Sequence, residues 1–291
     1  MKAFNSFRYV LSTILFLCSI YITNAQEEVR PYFTEEEMPD MLLFLPSPPD
    51  TTSTAFAYDV TQYMWGKTQR FNPERSSLAV DDADCSLEGL IHAFSDSFGM
   101  PISFKDTPEI YRLLRDATIT CESICHKPKS FYLRKRPFMV FNERTLTPNN
   151  EEGLAQNGSY PSGHAIYGWC TALLLSEINP ECTEKLMARA FTYGESRVIV
   201  GAHWQSDVDA GRLVSSVAYM KLHTNQDFLE QMTKARSEFA EKKKNGMYSV
   251  QKLENNSKEK DGKIYNLEGY QLTNKTPNGI YIESGRKYLV K

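Results

Sequence analysis

Apolar residues recur every three to four positions over most of the chain, the spacing of one face of a helix. The pattern runs through residues 53–68, 79–98, 108–125, 165–178, 183–193, 208–222 and 226–239, and it predicts a helix over each. Thr107-Pro108 and Asn179-Pro180 punctuate it, because proline fits the first helical turn and not the interior. Strand-like alternation is scarce before residue 263. The fold class predicted is therefore all-α, a multi-helix bundle.

The pattern breaks at both ends. Lys2 and Arg8 precede an almost wholly apolar run over residues 9–22, and Thr23-Asn24-Ala25 offers small residues for cleavage. Residues 1–25 thus read as a secretory signal peptide cut after Ala25. A retained anchor fits less well, since the run is short for a bilayer, and bulky Leu17 argues against lipidation at Cys18. No later stretch reaches transmembrane length, so no integral membrane segment is expected after signal removal. Residues 26–240 form the helical domain, opening on a polar, acidic, proline-rich lead-in that should wrap its surface up to about residue 50. Residues 241–262, rich in Lys, Glu and Asn, read as a charged linker. In residues 263–291, β-prone residues alternate with Glu-Gly, Asn-Gly and Ser-Gly turns, which predicts a short β-hairpin-like tail. That tail resembles the C-terminal segments of proteins exported by type IX secretion.

Composition alters this little. With 41% hydrophobic and 24% charged residues the chain can bury an ordinary core, and a net charge of −3 gives no basic field for nucleic acid. Export would place Cys85, Cys121, Cys125, Cys170 and Cys182 in an oxidising compartment, and their odd number leaves at least one unpaired or bonded between chains. Two local pairings are open: Cys121 with Cys125 one turn away, and Cys170 with Cys182 across the SEINPE turn. No Cys-x-x-Cys pattern, His-Glu-x-x-His motif or acidic-histidine cluster suggests a metal site. His92 lies in an apolar run and reads as packed, while His126 and His223 fall near helix ends.

Three short blocks carry the chemistry. In KSFYLRKRP, Lys129 and Arg136 stand seven residues apart, nearly two helical turns, with Pro137 positioned to end or turn that helix. Arg134 and Lys135 interrupt the pattern and should face elsewhere. In GSYPSGHAIYGW, Ser162, Gly163 and His164 precede an apolar helix, where free backbone N–H groups favour an anion. In SRVIVGAHWQSD, Arg197 adds a guanidinium and Asp207 follows His203 by four residues, close enough to hold one ring nitrogen and leave the other as a nucleophile. Each block alone has an ordinary structural explanation. Together they supply the equipment to hold a phosphate and move it through a histidine.

These blocks and their spacings, Lys-x6-Arg-Pro, Pro-Ser-Gly-His and Ser-Arg-x5-His-x3-Asp, resemble the three-part motif of the type 2 phosphatidic acid phosphatase superfamily. The stretches DADCSLEGLIHAFSDSFGMPI, NGSYPSGHAIYGW and GAHWQSDVDAGR are similar, more specifically, to bacterial class A non-specific acid phosphatases. The resemblance covers about residues 45–239. Ala165 stands where that family usually carries Thr, and Ala202 where a larger residue is common; neither removes a reacting group.

The resemblance implies a bundle of the acid phosphatase/haloperoxidase type. It implies His203 as nucleophile, Asp207 as its orienting carboxylate and His164 as acid and then base. It implies Lys129, Arg136, Ser162, Gly163 and Arg197 as the phosphate-binding set, with no metal or other cofactor. The activity implied is hydrolysis of small phosphomonoesters, with transfer to other alcohols as an extension, by a periplasmic, secreted or surface enzyme forming a homo-oligomer. Two alternatives stay open: a vanadate-dependent haloperoxidase and a surface-attached phosphate-binding protein. The second gives no reason for a nucleophile with its own orienting carboxylate.

Overall fold

The computed structural model describes residues 28–246 and four short paired segments nearer the C-terminus. The signal-peptide expectation, most of the charged linker and the turns of the expected β-rich tail lie outside the described residues.

Eleven α-helices follow in order through the described part of the first unit: α1 Thr54–Gln69, α2 Pro73–Asp81, α3 Leu87–Phe98, α4 Pro108–Ser123, α5 His126–Tyr132, α6 Pro137–Phe141, α7 Glu151–Ala155, α8 Gly163–Ile178, α9 Thr183–Val200, α10 Gln205–Leu222 and α11 Gln226–Lys244. Local chemistry sets many of the boundaries. Ser53, Asn72, Ser86 and Asn225 accept backbone N–H groups as N-caps, and proline opens α2, α4 and α6. The single helix predicted over 79–98 is two, because Asp82–Ser86 leaves the helical path and Ser86 caps a new start. On α3, Leu90, Phe94 and Phe98 face inward at a four-residue spacing, which turns His92 outward; it is exposed, not packed.

Helix α8 is the centre of the body. It has no charged residue before Glu177 and buries ten of its sixteen residues, as a helix surrounded by others must. It packs against α9, α10 and α4, with α3 and α11 completing the shell. Leu90, Phe94, Phe98, Leu113, Ile166, Leu174, Leu175 and Phe228 are all at or below 1% exposure in one contiguous core. Each such side chain contributes roughly 1.5–3 kcal/mol by leaving water. The arrangement holds the N-terminus of α8, the end of α9 and the start of α10 close together.

Cys85, Cys121, Cys125 and Cys170 carry no disulfide. The close pair is neither of those the spacing suggests: Cys121 on α4 and Cys170 on α8 bring their sulfurs to 2.9 Å in the core. Cys125 instead donates to Glu122, and Cys182 lies against the Asn179 amide.

In the second unit, β1 Ile264–Tyr265, β2 Gln271–Leu272, β3 Gly279–Glu283 and β4 Arg286–Val290 pair antiparallel in the order β2-β1-β3-β4. The β3–β4 register runs from Gly279 opposite Val290 to Glu283 opposite Arg286.

Candidate active site

Lys129 and Arg136 do not share a helix. Helix α5 ends at Tyr132, and Leu133 takes a left-handed conformation, φ 44°, at a cost of about 1–2 kcal/mol for a residue with a Cβ. The chain then reverses, and Arg136 becomes the N-cap of α6 with Pro137 at its first position. Pro137 therefore opens a helix where the sequence suggested that it closes one. Lys129 and Arg136 meet regardless, because both reach the carbonyl of Gly158, at 3.1 and 3.4 Å. A Cβ on Gly158 would sit 2.4 Å from the backbone oxygen of Lys129, so only glycine lets these segments approach. Arg136 is buried and fully engaged: Nε donates to the Leu154 carbonyl, Nη1 to the Ala202 carbonyl and Nη2 to Asn157.

The third block folds as a helix end, a short loop and a helix start. Gly201, at φ 91°, terminates α9, and the N–H groups of Ala202 and His203 return to the Arg197 carbonyl. Asp207, at the third position of α10, accepts the Trp204 N–H at 2.8 Å and faces His203 Nδ1 at 3.3 Å through the same oxygen. The Ser162 N–H donates to the Asp207 carbonyl, which ties the start of α8 to the start of α10. Ser162 caps α8 through its hydroxyl, and Gly163 is its first residue.

Arg197 is the anomaly. It has no exposed surface, and none of its three guanidinium nitrogens has a hydrogen-bond partner among the described residues. Its neighbour Ser196 is fully satisfied, donating to Asp82 and receiving from Arg75. An unpaired buried cation is strongly unfavourable, so the geometry calls for an anion there.

Electrostatics agree on where the groups converge. Burial, then Arg136, Lys129 and Arg197, pushes His203 well below the ordinary imidazole range. Burial, then Arg197, with His203 and Arg136 adding, does the same to His164, whose Nε2 lies 3.1 Å from the Ala83 carbonyl. Burial lowers Lys129 and Arg197, and it lowers Arg136 to about 10. Two neutral imidazoles thus stand among three cations, and each of those shifts would be relieved by a bound dianion.

Two partners were not singled out by the sequence. Arg134, which the spacing turned away, donates to Asp207 Oδ1, and its other amino group donates to Asp59 at 2.7 Å. Nothing in the motif spacing marks Asp59, 75 residues earlier on α1. Away from the cage, Glu122, Cys125 and His126 place donor atoms within 4.8 Å of one another. Hydrogen bonds account for that group: His126 lies between Glu122 and Glu35, which raise it to about 9, the Glu122 bond first.

Comparison with known proteins bears on this arrangement. Residues 115–226, which contain all eight singled-out positions, match the model of the PAP2 superfamily. The non-specific acid phosphatase of Providencia stuartii is 44% identical over 214 residues, spanning 73% of this chain and 86% of that protein. The non-specific acid phosphatase of Salmonella typhimurium is 39% identical over 236 residues, 81% of this chain and 93% of its own. An acid phosphatase of Zymomonas mobilis is 34% identical over 212 residues, 73% and 80% of the two chains.

Proposed function

The chain belongs to the PAP2 superfamily, among its non-specific acid phosphatases, and from that membership we propose that it hydrolyses small phosphomonoesters through a phosphohistidine on His203. The observation that carries the reading is the buried, unpartnered guanidinium of Arg197 beside a histidine oriented by a carboxylate. A binding protein needs the first and has no use for the second.

The chemistry runs on this chain's own groups. Lys129, Arg136, Arg197, the Ser162 hydroxyl and the Gly163 N–H hold the non-bridging oxygens. Nε2 of His203 attacks phosphorus while Nδ1–H points to Asp207. The bond to the leaving oxygen breaks, and His164 supplies the proton that makes it an alcohol. Water then gives a proton to His164 and attacks phosphorus, the P–N bond breaks, and phosphate leaves. Another alcohol in place of water gives phosphate transfer. The cations stabilise charge as it shifts onto the equatorial oxygens, worth about 3–4 kcal/mol for one well-placed donor in comparable sites.

Acid preference follows from the two histidines. His203 must be neutral to attack, and its lowered pKa keeps it neutral well into the acid range. His164 must carry a proton, and its lowered pKa means that the proton arrives with acid or with the phosphate dianion.

The 1–25 segment supports export of the 26–240 domain to the periplasm, the cell surface or the medium, and residues 263–291 are proposed as a β-rich appendage beyond the 241–262 linker. No helix among the described residues is long and apolar enough to cross a membrane. A homo-oligomer remains part of the proposal on resemblance alone.

The test is hydrolysis of a chromogenic phosphomonoester in excess chelator, beside His203→Ala and with acid-labile phosphate trapped on the protein. Activity that survives chelation, and is lost in the variant together with the trapped phosphate, supports the reading. A folded wild type that oxidises halide with vanadate and hydrolyses nothing would replace it with the haloperoxidase.

A further inference from the structure

Asp207 uses its two oxygens for different partners. Oδ2 serves His203 Nδ1 and the Trp204 N–H; Oδ1 receives Nη1 of Arg134. The Arg134 side chain is 8% exposed, and the carboxylates of Asp207 and Asp59 are 0% exposed. Asp59 closes the arrangement. It receives Nη2 of Arg134, the Ser206 N–H at 2.8 Å and the Ser206 hydroxyl at 2.6 Å, and that hydroxyl in turn accepts from Arg134 at 2.8 Å. The guanidinium also lies 5.6 Å from the ring of Trp204 and 6.0 Å from that of Tyr160. Helix α1, the reversal after α5 and the start of α10 are thereby fixed to one another by a buried carboxylate–guanidinium–carboxylate row that ends on His203.

We propose that Arg134, itself held by Asp59, is a positioning residue that fixes the Asp207 rotamer facing His203 and sets how strongly Asp207 supports charge on that ring. The inference rests on His203 being the nucleophile. Arg134 touches no substrate oxygen in this scheme; it acts only through Asp207. Its buried position is otherwise hard to account for, since a guanidinium and two carboxylates taken out of water stabilise a fold no better than apolar residues of the same volume.

The titratable and charged groups facing His203 are Lys129, Arg136, Arg197, His164 and Asp207, and substitution at Arg134 or Asp59 removes none of them. With Arg134→Gln, the Asp207 charge is no longer shared with a cation, so it supports the His203 imidazolium more strongly. His203 then binds a proton at higher pH and is lost as a nucleophile sooner on acidification. Asp59→Asn has the opposite sign, because Arg134 then directs its whole charge at Asp207.

The experiment measures kcat, KM, inhibition by inorganic phosphate and the pH dependence of kcat/KM for the full chain and for Arg134→Gln, Arg134→Lys and Asp59→Asn. Folding of each is checked by circular dichroism. Expected for Arg134→Gln is a fall in kcat of about 10- to 100-fold, the scale of a small misplacement near the reacting atoms, with KM and phosphate inhibition within about threefold. Its acid limb moves up in pH, while that of Asp59→Asn moves down. Arg134→Lys restores the limb and only part of kcat, since an ammonium cannot fork to two carboxylates. A folded Arg134→Gln with wild-type kcat and acid limb overturns the proposal, as does a parallel loss of every constant together with Tm. If Arg134→Gln does not fold, Asp59→Asn decides by the same limb, and an unmoved limb overturns it. Activity persisting in His203→Ala would instead remove the underlying mechanism, which separates the two failures.

Discussion

Arg136 Nη1 lies 2.9 Å from His203 Nε2, both residues at 1% exposure. A guanidinium only donates, so Nε2 must accept and the ring proton sits on Nδ1, where Asp207 waits. The ring therefore already holds the tautomer that the proposed attack on phosphorus requires, and its Nε2 lone pair faces a cation that a phosphate oxygen can take over.

That tautomer depends on Asp207 remaining an acceptor at both oxygens. Asp207→Asn can turn an amide N–H toward Nδ1, which favours the wrong tautomer, and it weakens the hold of Arg134. The expected result is a loss of kcat on the order of 10⁴, the size of such a carboxylate-to-amide change beside a catalytic histidine. Phosphate inhibition should stay within about threefold, because the three cage cations remain. Steady-state kinetics with inorganic phosphate as inhibitor checks both; a kcat within tenfold of wild type would mean that Asp207 only caps α10.

Arg197 should separate function from stability. Removing an unpartnered buried cation relieves the fold, whereas removing a charged hydrogen-bonding partner of phosphate weakens binding by about 1.5–3 kcal/mol. Arg197→Met is therefore expected to weaken phosphate inhibition by roughly 10- to 150-fold while Tm in phosphate-free buffer holds or rises. Thermal melts with and without phosphate decide it, and a lower Tm without phosphate would show that Arg197 has a structural role.

The helical body is legible in the sequence because burial imposes a 3.6-residue period that single residues cannot hide. The starts of α1, α4, α9 and α11 fall within one residue of the sequence boundaries. The eight candidate positions come together for another reason: their spacings sit on or beside helix ends, and a helix end converts sequence distance into direction. Short helices α5–α7 give no such signal, since five to seven residues cannot display a period. Arg134 and Asp59 were hidden because their bond joins positions 75 residues apart. Leu133 compounded this, as its left-handed turn reverses the direction in which Arg134 and Arg136 would point from a continued helix.

His164 and His203 tie stability to pH and, in the proposed site, to phosphate. Both are held neutral in the fold, with folded values below the unfolded value of about 6.5. Below that value the unfolded chain binds protons that the fold refuses, so stability falls as pH drops from about 6.5 toward the folded values. The slope is about 1.4 kcal/mol per pH unit for each histidine. A phosphate anion among Lys129, Arg136 and Arg197 cancels the cationic part of the shift. Tm is expected to fall from pH 7 to pH 5 in chloride, and phosphate should raise Tm more at pH 5 than at pH 8. Melts across that range check it; equal phosphate shifts at both pH values would mean that no imidazole proton accompanies the anion.

The core sulfurs of Cys121 and Cys170, 2.9 Å apart, make a pairing prediction that sequence spacing does not. Bonding requires the distance to close to about 2.05 Å, a small side-chain movement between α4 and α8, whereas Cys125 and Cys182 are each engaged elsewhere. Burial pushes the Cys121 thiol well up, so a reagent reaches it poorly once the core has formed. The bond should therefore form while the chain folds, by exchange with an oxidised small-molecule disulfide that is reduced in turn to two thiols. Protein refolded in such a buffer, digested without reduction and mapped by mass spectrometry, is expected to yield a Cys121–Cys170 cross-linked peptide. The loop closed spans 49 residues, for which chain entropy gives about 4 kcal/mol, so reductant should lower Tm by several degrees and Cys170→Ser should abolish that difference. A Cys121–Cys125 or Cys170–Cys182 peptide in its place would mean that the chain pairs its cysteines by proximity in sequence, before α4 and α8 have docked.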